Sequence, residues 1–313
     1  MKTKVFLGID TSNYTTSLSF CDLEGNILDN YKILLPVKEG ERGLRQSDAV
    51  FAHLKNFEII TEKIKEKHAD YEILAIGCSK YPRDVKGSYM PCFLVGEAIC
   101  RVISSIYKLD LFEFSHQNGH IMAAIHSSGA EINDDFIAFH VSGGTTEILH
   151  VTPENDGFLV ELIGGSSDLH AGQAIDRIGV KMGLKFPCGR EIERLAMMNR
   201  RMIPPFKVSV NGLYCNLSGV ENLAVNLLNE TNNIHLVSAF VLSFIEKTII
   251  KLTENVRTKY PGKKIIFAGG VMSNQIIKQA LSDCFDNVYF AKPEFSSDNA
   301  CGTALLTRKK YLK

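Results

Sequence analysis

Residues 4–35 of the chain read KVFLGIDTSNYTTSLSFCDLEGNILDNYKILL, and this stretch decides the fold. Its apolar, β-rich runs predict three strands separated by two turns. The same pattern returns at residues 136–165, where FIAFHV, EILHVT and FLVELIGG alternate with turns of small residues. In both copies the first turn closes on a threonine pair, Thr15-Thr16 and Thr145-Thr146. The chain therefore contains a weak internal repeat of a strand–turn–strand–strand unit.

Each copy of the repeat is followed by alternating helices and strands. After the first copy, the predicted elements are helices near 44–68 and 90–107 with strands ILAIGCS and LFEF. After the second copy, they are helices from about 170, 219 and 235, the strand KIIFAGG, a helix, the strand VYFAKP and a terminal helix. This alternation predicts an α/β fold with mostly parallel sheets covered by helices. Because small-residue turns after strands offer backbone N–H groups to phosphates, we expect a nucleotide in a cleft between two lobes.

Two histidines, His116 and His120, are the first candidate metal ligands. They stand four residues apart in FEFSHQNGHIMAAIHSS, and on a helix such residues lie on one face. Two imidazoles held in this way can bind one divalent metal. With nine histidines in the chain, the spacing can also arise by chance on an ordinary helix surface. Gln117 stands where the HExxH zinc-protease motif has its glutamate base, which argues against metal-dependent hydrolysis.

Length and charge limit the classes of function. With 313 residues the chain is long enough for two lobes, and 45% hydrophobic with 22% charged residues is ordinary for a globular protein. Its 35 Lys and Arg residues balance 35 Asp and Glu residues. This balance excludes a protein that holds nucleic acid by overall charge alone, so an RNA substrate needs a local basic patch or a partner protein.

The cysteines predict a reducing compartment. All eight are scattered without a CxxC pair, and the start MKTKVFLGID runs directly into a strand where a signal peptide would have its apolar segment. No apolar run reaches the length of a membrane span. We therefore expect a cytoplasmic protein with reduced thiols and no membrane association.

Seven segments match, in order, the motifs of one enzyme family. They are LGIDTSNYTTS (GIETS in the family), HQNGH (HxxxH), VSGGTTE (VSGGHT), AGQAIDRIGVKMGLKFPCG (AGEAFDK, then GL and PGG), LSGVEN (FSGLK), FAGGVMSN (AGGVAAN) and SSDNACGTA (TDNAAM). Through nearly its whole length the chain resembles the universal tRNA threonylcarbamoyladenosine transferases, formerly called O-sialoglycoprotein endopeptidases.

The resemblance implies the actin/Hsp70/sugar-kinase-like (ASKHA) fold. In this α/β fold, two duplicated RNase H-like lobes enclose a nucleotide cleft. We expect residues 1–110 and 295–313 to form the N-terminal lobe, and residues 111–294 to form the C-terminal lobe with helical insertions.

The resemblance also implies a reaction and a metal. Members of the family transfer a threonylcarbamoyl group from threonylcarbamoyl-AMP to N6 of adenosine 37 in tRNAs that read ANN codons. Their metal ligands correspond to His116, His120 and Asp298. Nitrogen and oxygen ligands suit both Fe2+ and Zn2+, so the metal stays open between these two. The implied partners are tRNA and helper proteins of the t6A pathway, with a homodimer or a heterodimer as the expected assembly.

An adenine nucleotide, threonylcarbamoyl-AMP or an ATP-like molecule, is the implied ligand of the second repeat. The corresponding residues are Val141, Ser142, Gly143, Gly144, Thr145, Asp176, Gly189, Glu193 and Asn274. The loop backbone would hold phosphate, Asp176 the ribose hydroxyls, and Asn274 the adenosine. Each position also has a purely structural interpretation, because glycines form tight turns and acids occupy solvated helix faces.

Several departures from the family motifs fall near the expected reacting groups. They are Asn13, Tyr14 and Thr15 in place of two acids, Lys80–Gly87 in place of Gly-Pro-Gly, Thr145 in place of histidine, Gln173 in place of glutamate, Arg177 in place of lysine, and Glu221 in place of lysine. These changes leave two other functions open. One is carbamoyl-type transfer to another acceptor, and the other is a non-catalytic, nucleotide-binding regulatory role.

Overall fold

The computed structural model describes residues 2–12, 14–36, 44–67, 70–155 and 157–313. The chain divides into two compact units. Unit 1 comprises Met1–His126, Pro153–Leu159 and Ser297–Lys313, and unit 2 comprises Ser127–Thr152 and Val160–Ser296.

Unit 1 is built on one five-stranded sheet. Its strands are β1 (Thr3–Thr11), β2 (Thr15–Asp22), β3 (Ile27–Leu34), β4 (Tyr71–Tyr81) and β5 (Asp110–Ser115), and its helices are α1 (Gln46–Lys67), α2 (Phe93–Tyr107), α3 (His116–Ser128) and the C-terminal α9 (Cys301–Tyr311). The strand order is β3-β2-β1-β4-β5. The first three strands are antiparallel neighbours, whereas β4 runs parallel to β1 and β5 runs parallel to β4.

The central strand β1 is covered on both faces. Val5, Leu7 and Ile9 belong to the apolar cluster beneath α1 and α2, whereas Phe6 packs with Ala304 of α9 on the opposite face. This alternation follows from the two-residue period of a strand. Helices therefore lie on both sides of the unit 1 sheet, as the sequence predicted.

Unit 1 extends past the predicted lobe boundary at residue 110. β5 pairs with β4 through the register Ala75↔Asp110 to Tyr81↔Ser115, so it completes the unit 1 sheet. α3 follows directly and carries the chain to the boundary at His126.

Unit 2 is built on a seven-stranded sheet. Its strands are β6 (Phe136–Val141), β7 (Thr146–Pro153), β8 (Phe158–Ser166), β9 (Ser209–Asn211), β10 (Tyr214–Asn216), β11 (Ile265–Ala268) and β12 (Val288–Phe290); its helices are α4 (Ala171–Lys181), α5 (Gly189–Met197), α6 (Ser218–Thr231), α7 (Ile234–Lys259) and α8 (Gln275–Cys284), with 3-10 turns at Gly270–Ser273 and Pro293–Phe295. The strand order is β12-β11-β6-β7-β8-β10-β9.

The two sheets share one arrangement of strands. From β8 to β12, the order in unit 2 repeats that of unit 1, with the first strand central, the next two on one side and two later strands on the other. β11 runs parallel to β6, as β4 does to β1. The predicted internal repeat is confirmed. The short hairpin β9–β10 was not predicted, because three-residue strands are too short to show a clear period.

The core of unit 2 is organised around α7. This 26-residue helix has buried side chains along most of its length, and the side chain of Asn233 accepts a hydrogen bond from the N–H of Leu236 at its start. Among the described residues, no helix combines the length and apolar character that crossing a bilayer requires. All eight cysteines are free thiols, and only Cys284 is exposed.

Candidate functional site

Both predicted histidine ligands lie at the start of α3. β5 ends at Ser115, whose hydroxyl accepts a hydrogen bond from the N–H of Asn118 at 3.1 Å. This contact satisfies one of the N–H groups that a helix start leaves unpaired. The helix then places His116 and His120 on one face, with their Nε2 atoms 2.9 Å apart.

Asp298 reaches these histidines because α9 packs closely on α3. A Cβ atom added to Gly302 of α9 would lie 1.8 Å from the carbonyl oxygen of Gly119 in α3, so a larger residue cannot replace this glycine. The segment that precedes α9 therefore runs past the start of α3. Oδ1 of Asp298 lies 3.3 Å from Nε2 of His120 and 3.7 Å from Nε2 of His116.

The spacing of these three atoms suits a tetrahedral metal site. Metal–nitrogen distances of about 2.0–2.1 Å place the ligand atoms of such a site about 3.3 Å apart. The observed separations of 2.9, 3.3 and 3.7 Å are centred on this value. Within the described part of the chain, no second group of three His, Cys, Asp or Glu residues converges in this way. Three protein ligands leave a fourth position for substrate.

Asp10 orients His116 from the side away from the ligand atoms. Its Oδ2 lies 2.7 Å from Nδ1 of His116, and its Oδ1 accepts a hydrogen bond from the N–H of Ser12 at 3.0 Å. The Asp10 side chain is only 1% exposed. A carboxylate in this position fixes which ring nitrogen faces a metal and makes that nitrogen a stronger ligand.

The electrostatics of this cluster favour positive charge. Burial lowers the pKa of His116, but the charges and hydrogen bonds of Asp10 and Asp298 outweigh it and raise this pKa to about 10. Burial raises the pKa of Asp298, yet hydrogen bonds from His116 and His120 hold it well below its usual range. The carboxylates thus stabilise a cation between them, and a metal ion competes with a proton for that place.

The sequence-based site residues did not include Asp10 or Asp84. Asp10 stands near the end of a buried strand in LGIDTS, and this position was the available signal. Asp84 belongs to the stretch that replaces the family's Gly-Pro-Gly. It accepts hydrogen bonds of 2.5 Å from the Ser115 hydroxyl and from the Asn118 side-chain amide. Asp84 therefore holds the residues that flank His116.

In unit 2, the predicted phosphate loop is a tight turn at the end of β6. Val141 ends the strand, and the N–H of Ser142 donates to the carbonyl of Thr145 at 2.8 Å. α4 begins directly against this turn, because a Cβ atom on Gly172 would lie 2.6 Å from Cα of Gly143. The N–H of Gly172 also donates to the carbonyl of Ser142 at 3.1 Å.

A second turn, after β11, meets the first. Gly269 has a φ of +102°, and a Cβ atom there would lie 2.2 Å from the carbonyl oxygen of Val141. Both the backbone angle and this close contact require glycine. In contrast, a Cβ atom on Gly143, Gly144 or Gly270 would meet no heavy atom within 4 Å. β6 and β11 are parallel neighbours, so the structure brings open, glycine-rich backbone together at one sheet edge. Such backbone can bind an anion.

Three other nucleotide candidates make contacts at helix starts. Oδ1 of Asp176 accepts from the N–H of Cys188, before α5, at 2.7 Å. Oε1 of Glu193 accepts from the N–H of Gln275, the first residue of α8, at 2.6 Å. Oδ1 of Asn274 accepts from two N–H groups of the same helix at 3.1 and 3.2 Å. Asp176 and Glu193 are therefore bonded to helix starts instead of lying on solvated helix faces, and their contacts connect α4, α5 and α8.

Gly189 is the remaining nucleotide candidate. It is the first residue of α5, and a Cβ atom there would have no heavy atom within 4 Å. Burial raises the pKa of the nearby Asp176 carboxyl. Its Oδ1 accepts the hydrogen bond from the N–H of Cys188, the residue directly before Gly189.

Two departures from the family motifs have structural partners in unit 2. Oε1 of Gln173 accepts a hydrogen bond from the N–H of His170 at 3.4 Å, as part of a capping box at the start of α4. Glu221 of α6 forms ion pairs with Lys181 at 2.8 Å and with Arg177 at 3.3 Å. The change from lysine to glutamate at 221 is thus matched by two cations on α4.

The departures at the first turn differ in their surroundings. Asn13 lies outside the described residues. Tyr14 is 45% exposed, and Thr15 is buried at the start of β2. Neither described residue supplies a carboxylate near the metal cluster, so Asp10 and Asp298 are the acids that contact its histidines.

Comparison with known proteins identifies the family. The model of the family TsaD, tRNA N6-adenosine threonylcarbamoyltransferase, matches residues 46–305. A tRNA N6-adenosine threonylcarbamoyltransferase of Streptococcus gordonii is 27% identical over 311 residues, which cover 96% of this chain and 90% of that protein. One from Streptococcus suis is 27% identical over 326 residues, which cover 100% and 94%.

Solved structures support the fold. Full-length HypF superposes with a TM-score of 0.60 at 11% identity, covering 98% of this chain and 46% of HypF. Component A of (R)-2-hydroxyglutaryl-CoA dehydratase from Acidaminococcus fermentans gives a TM-score of 0.56 at 14% identity, covering 99% of both chains. A ROK family glucokinase from Streptomyces griseus gives 0.54 at 13% identity, covering 97% and 99%. The fold is the predicted actin/Hsp70/sugar-kinase-like fold. Because the family model spans most of the sequence, the chain belongs to the tRNA N6-adenosine threonylcarbamoyltransferase family.

Proposed function

We propose that this protein transfers a threonylcarbamoyl group from threonylcarbamoyl-AMP to N6 of adenosine 37 in tRNAs that read ANN codons. The observation that carries the proposal is the cluster of His116, His120 and Asp298, with Asp10 behind His116, in a member of this family. A metal bound at such a cluster, with one position open, can polarise the oxygen of an acyl donor.

The chemistry of the transfer assigns a role to the cluster. The N6 amine of adenosine attacks the carbamoyl carbon, the bond from that carbon to the phosphate oxygen breaks, AMP leaves, and N6 loses a proton. A bound Fe2+ or Zn2+ would supply Lewis-acid polarisation of the carbamoyl oxygen. His116, His120 and Asp298 would hold the cation, and Asp10 would keep the His116 ring in the orientation that binds it.

The turns of unit 2 are proposed to hold the nucleotide part of the donor. Gly143 and Gly144 offer backbone N–H groups beside the start of α4, where a phosphate is favoured by the helix dipole. Gly189 leaves space at the start of α5, and Asp176 places a half-buried carboxylate nearby for ribose hydroxyls. Because Glu193 and Asn274 are bound to the start of α8, we propose that they shape this site through the backbone.

The proposal also includes partners. Helper proteins of the t6A pathway would deliver or position the tRNA, because the chain has no net charge. A homodimer or a heterodimer in the cytoplasm is the assembly that we propose.

The test is a transfer assay with the purified protein, threonylcarbamoyl-AMP, and a tRNA that reads ANN codons. The assay is run with and without the helper proteins, and the tRNA nucleosides are analysed by mass spectrometry. We expect N6-threonylcarbamoyladenosine at position 37 and release of AMP. Absence of the modified nucleoside, under conditions where another family member produces it, would refute the proposal. AMP release without tRNA modification would show that the donor is cleaved but that this tRNA is not the acceptor.

A further inference from the structure

One segment of this neutral chain is strongly basic. Residues 177–207 contain eight Lys or Arg residues and two Asp or Glu residues, whereas the remainder contains 27 Lys or Arg residues against 33 Asp or Glu residues. The positive segment runs from the second half of α4 through α5 to the approach to β9. All eight cationic residues are exposed.

Helical geometry gathers part of this charge on one face. Arg190 and Arg194 are four residues apart in α5, opposite its buried residues Ile192 and Leu195. Arg194 is paired with Glu191 on the same helix. The face of α5 that looks away from the core therefore carries two arginines, of which Arg190 has no carboxylate partner among the described residues.

Several cations of the segment have no acidic partner. Glu221 already binds Arg177 and Lys181 on α4. Among the described residues, no carboxylate pairs with the side chains of the other five, which are Lys185, Arg190, Arg200, Arg201 and Lys207. Unpaired positive charge at this density favours an anionic partner.

Exposed apolar side chains are interleaved with these cations. Phe186 is 73% exposed, and Met202 is 92% exposed. An exposed aromatic ring beside cations can stack on an unpaired base, and a flexible methionine adapts to an irregular surface. This combination fits single-stranded or loop RNA better than it fits a simple inorganic anion.

We infer that the basic surface, defined as Lys185, Arg190, Arg194, Arg201, Lys207 and Phe186, binds the acceptor RNA, with its cations on the phosphate backbone and Phe186 on an unpaired base. This inference rests on the proposed function, since that function supplies RNA as the substrate. Arg190 directly follows Gly189, so the surface adjoins residues proposed to hold the nucleotide of the donor. The location would bring a bound RNA close to that donor within unit 2.

Arg200 is left out of the surface because it has a structural role. Its Nη1 donates to the carbonyls of Met197 and Asn199 at 3.1 and 3.3 Å, at the end of α5. Substitution of Arg200 would therefore disturb the helix end and confuse a binding experiment.

The test compares two triple variants with equal loss of charge. The first carries Lys185→Ala, Arg190→Ala and Arg201→Ala. The control carries Lys2→Ala, Lys4→Ala and Lys63→Ala, which removes three exposed cations from unit 1. Binding of a fluorescein-labelled tRNA that reads an ANN codon is measured by anisotropy at several salt concentrations, without the donor.

We expect the first variant to bind this tRNA about 30-fold more weakly at 100 mM salt, with a salt dependence lower by about two to three ion equivalents. The control should bind like the wild type, and both variants should keep the wild-type melting temperature. Equal binding by the first variant and the wild type would overturn the inference, as would an equal loss in the control. Absence of tRNA binding by the wild type, or binding to anionic phospholipid vesicles in its place, would also overturn it.

The transfer assay separates this inference from the proposed function. If the wild type modifies tRNA while the first variant binds it normally, the surface is wrong and the function stands. If the first variant loses tRNA binding but the wild type never forms the modified nucleoside, the surface stands and the function is wrong.

Discussion

The turn after β1 and the turn after β6 occupy the same place in two copies of one fold, but they carry different chemistry. The first follows Asp10, a fully buried carboxylate near the end of β1 whose Oδ2 lies 2.7 Å from Nδ1 of His116. The second contains Gly143 and Gly144, whose backbone faces open space. The first turn thus favours a cation, and the second turn suits an anion.

The threonines that close these turns show the same divergence. Oγ1 of Thr16 lies 2.8 Å from Nδ1 of the buried His53 and accepts a hydrogen bond from the Asn56 amide at 2.9 Å. Oγ1 of Thr146 accepts a hydrogen bond from the N–H of Ala171 at 2.9 Å, at the start of α4. One threonine therefore supports a buried polar network, and the other anchors a helix against a glycine turn.

The repeated strands fix where a ligand can be held, whereas a few residues at the strand ends set the sign of the charge that can bind there. The ends of parallel strands lie at one edge of each sheet, and this follows from the strand order alone. The acid near the end of β1 favours a cation at this edge of the unit 1 sheet. The glycines after β6 suit an anion at this edge of the unit 2 sheet.

The largest expected effect comes from removing both histidines of the metal cluster. His116→Ala with His120→Ala should abolish bound metal and reduce transfer by about 1000-fold or more, because two of three ligands are lost. Unfolding should remain cooperative, since the core of unit 1 lies elsewhere. Metal content is measured by elemental analysis, and stability by thermal denaturation.

His126→Ala is the matched control, because His126 lies on the same helix but outside the cluster. It should retain metal and transfer activity. Loss of cooperative unfolding in the double variant would contradict the separation of metal site and core.

A pair of glycine variants tests the second turn. Gly172→Ala should lower the free energy of unfolding by about 3 kcal/mol, because its Cβ would meet the backbone of the Ser142–Gly143 turn at 2.6–2.7 Å. Gly143→Ala should change stability by less than about 1 kcal/mol, since its Cβ meets nothing within 4 Å. It should nevertheless weaken AMP binding about tenfold if this backbone holds phosphate.

Denaturant titration and calorimetry measure these two quantities. Wild-type AMP affinity in Gly143→Ala would show that the turn is structural only, and the contrast with the first turn would lose its functional meaning.

The acid of the first turn is tested by a change that keeps its size. Asp10→Asn should weaken metal binding by about 10- to 100-fold, because the amide no longer fixes the protonation and orientation of His116. Competition with a chelator measures the affinity. Asp22→Asn, which removes an acid bonded to Asn26 in the β2–β3 turn, is the control and should leave metal affinity unchanged.

The smallest effect is a pH dependence from His53 of α1, whose Nδ1 contacts Thr16 after the first turn. Burial lowers the pKa of His53 from 6.5 to about 4, so the unfolded chain takes up this proton first as the pH falls. Stability from neutral His53 is therefore complete above pH 6.5 and is lost as the pH falls toward 4, by about 1–2 kcal/mol at pH 5. Denaturant titrations of wild type and His53→Gln should converge across this range. Parallel curves would contradict the assignment.

Much of the fold was readable from the sequence. The strand–turn–strand–strand repeat and the helices of 10 or more residues were predictable because burial of one face imposes a period that a single sequence displays. The β9–β10 hairpin was not predicted, because its strands are too short for that period to show. The boundary of unit 1 also differs from the lobe boundary predicted at residue 110, because the pairing of β5 with β4 is a long-range contact that has no local signal.

The candidate site also has a part that the sequence predicted and a part that depends on the tertiary structure. The sequence alone predicted the type of chemistry, from two histidines four residues apart, glycine turns after strands, and the family motifs that pointed to Asp298. Only the tertiary structure decided which side chains meet. Asp298 lies beside His120 because Gly302 lets α9 approach Gly119, and Asp10 meets His116 across 106 residues of chain. Such pairs form only where distant segments of the chain pack closely. The residues near each member in the sequence do not specify its partner.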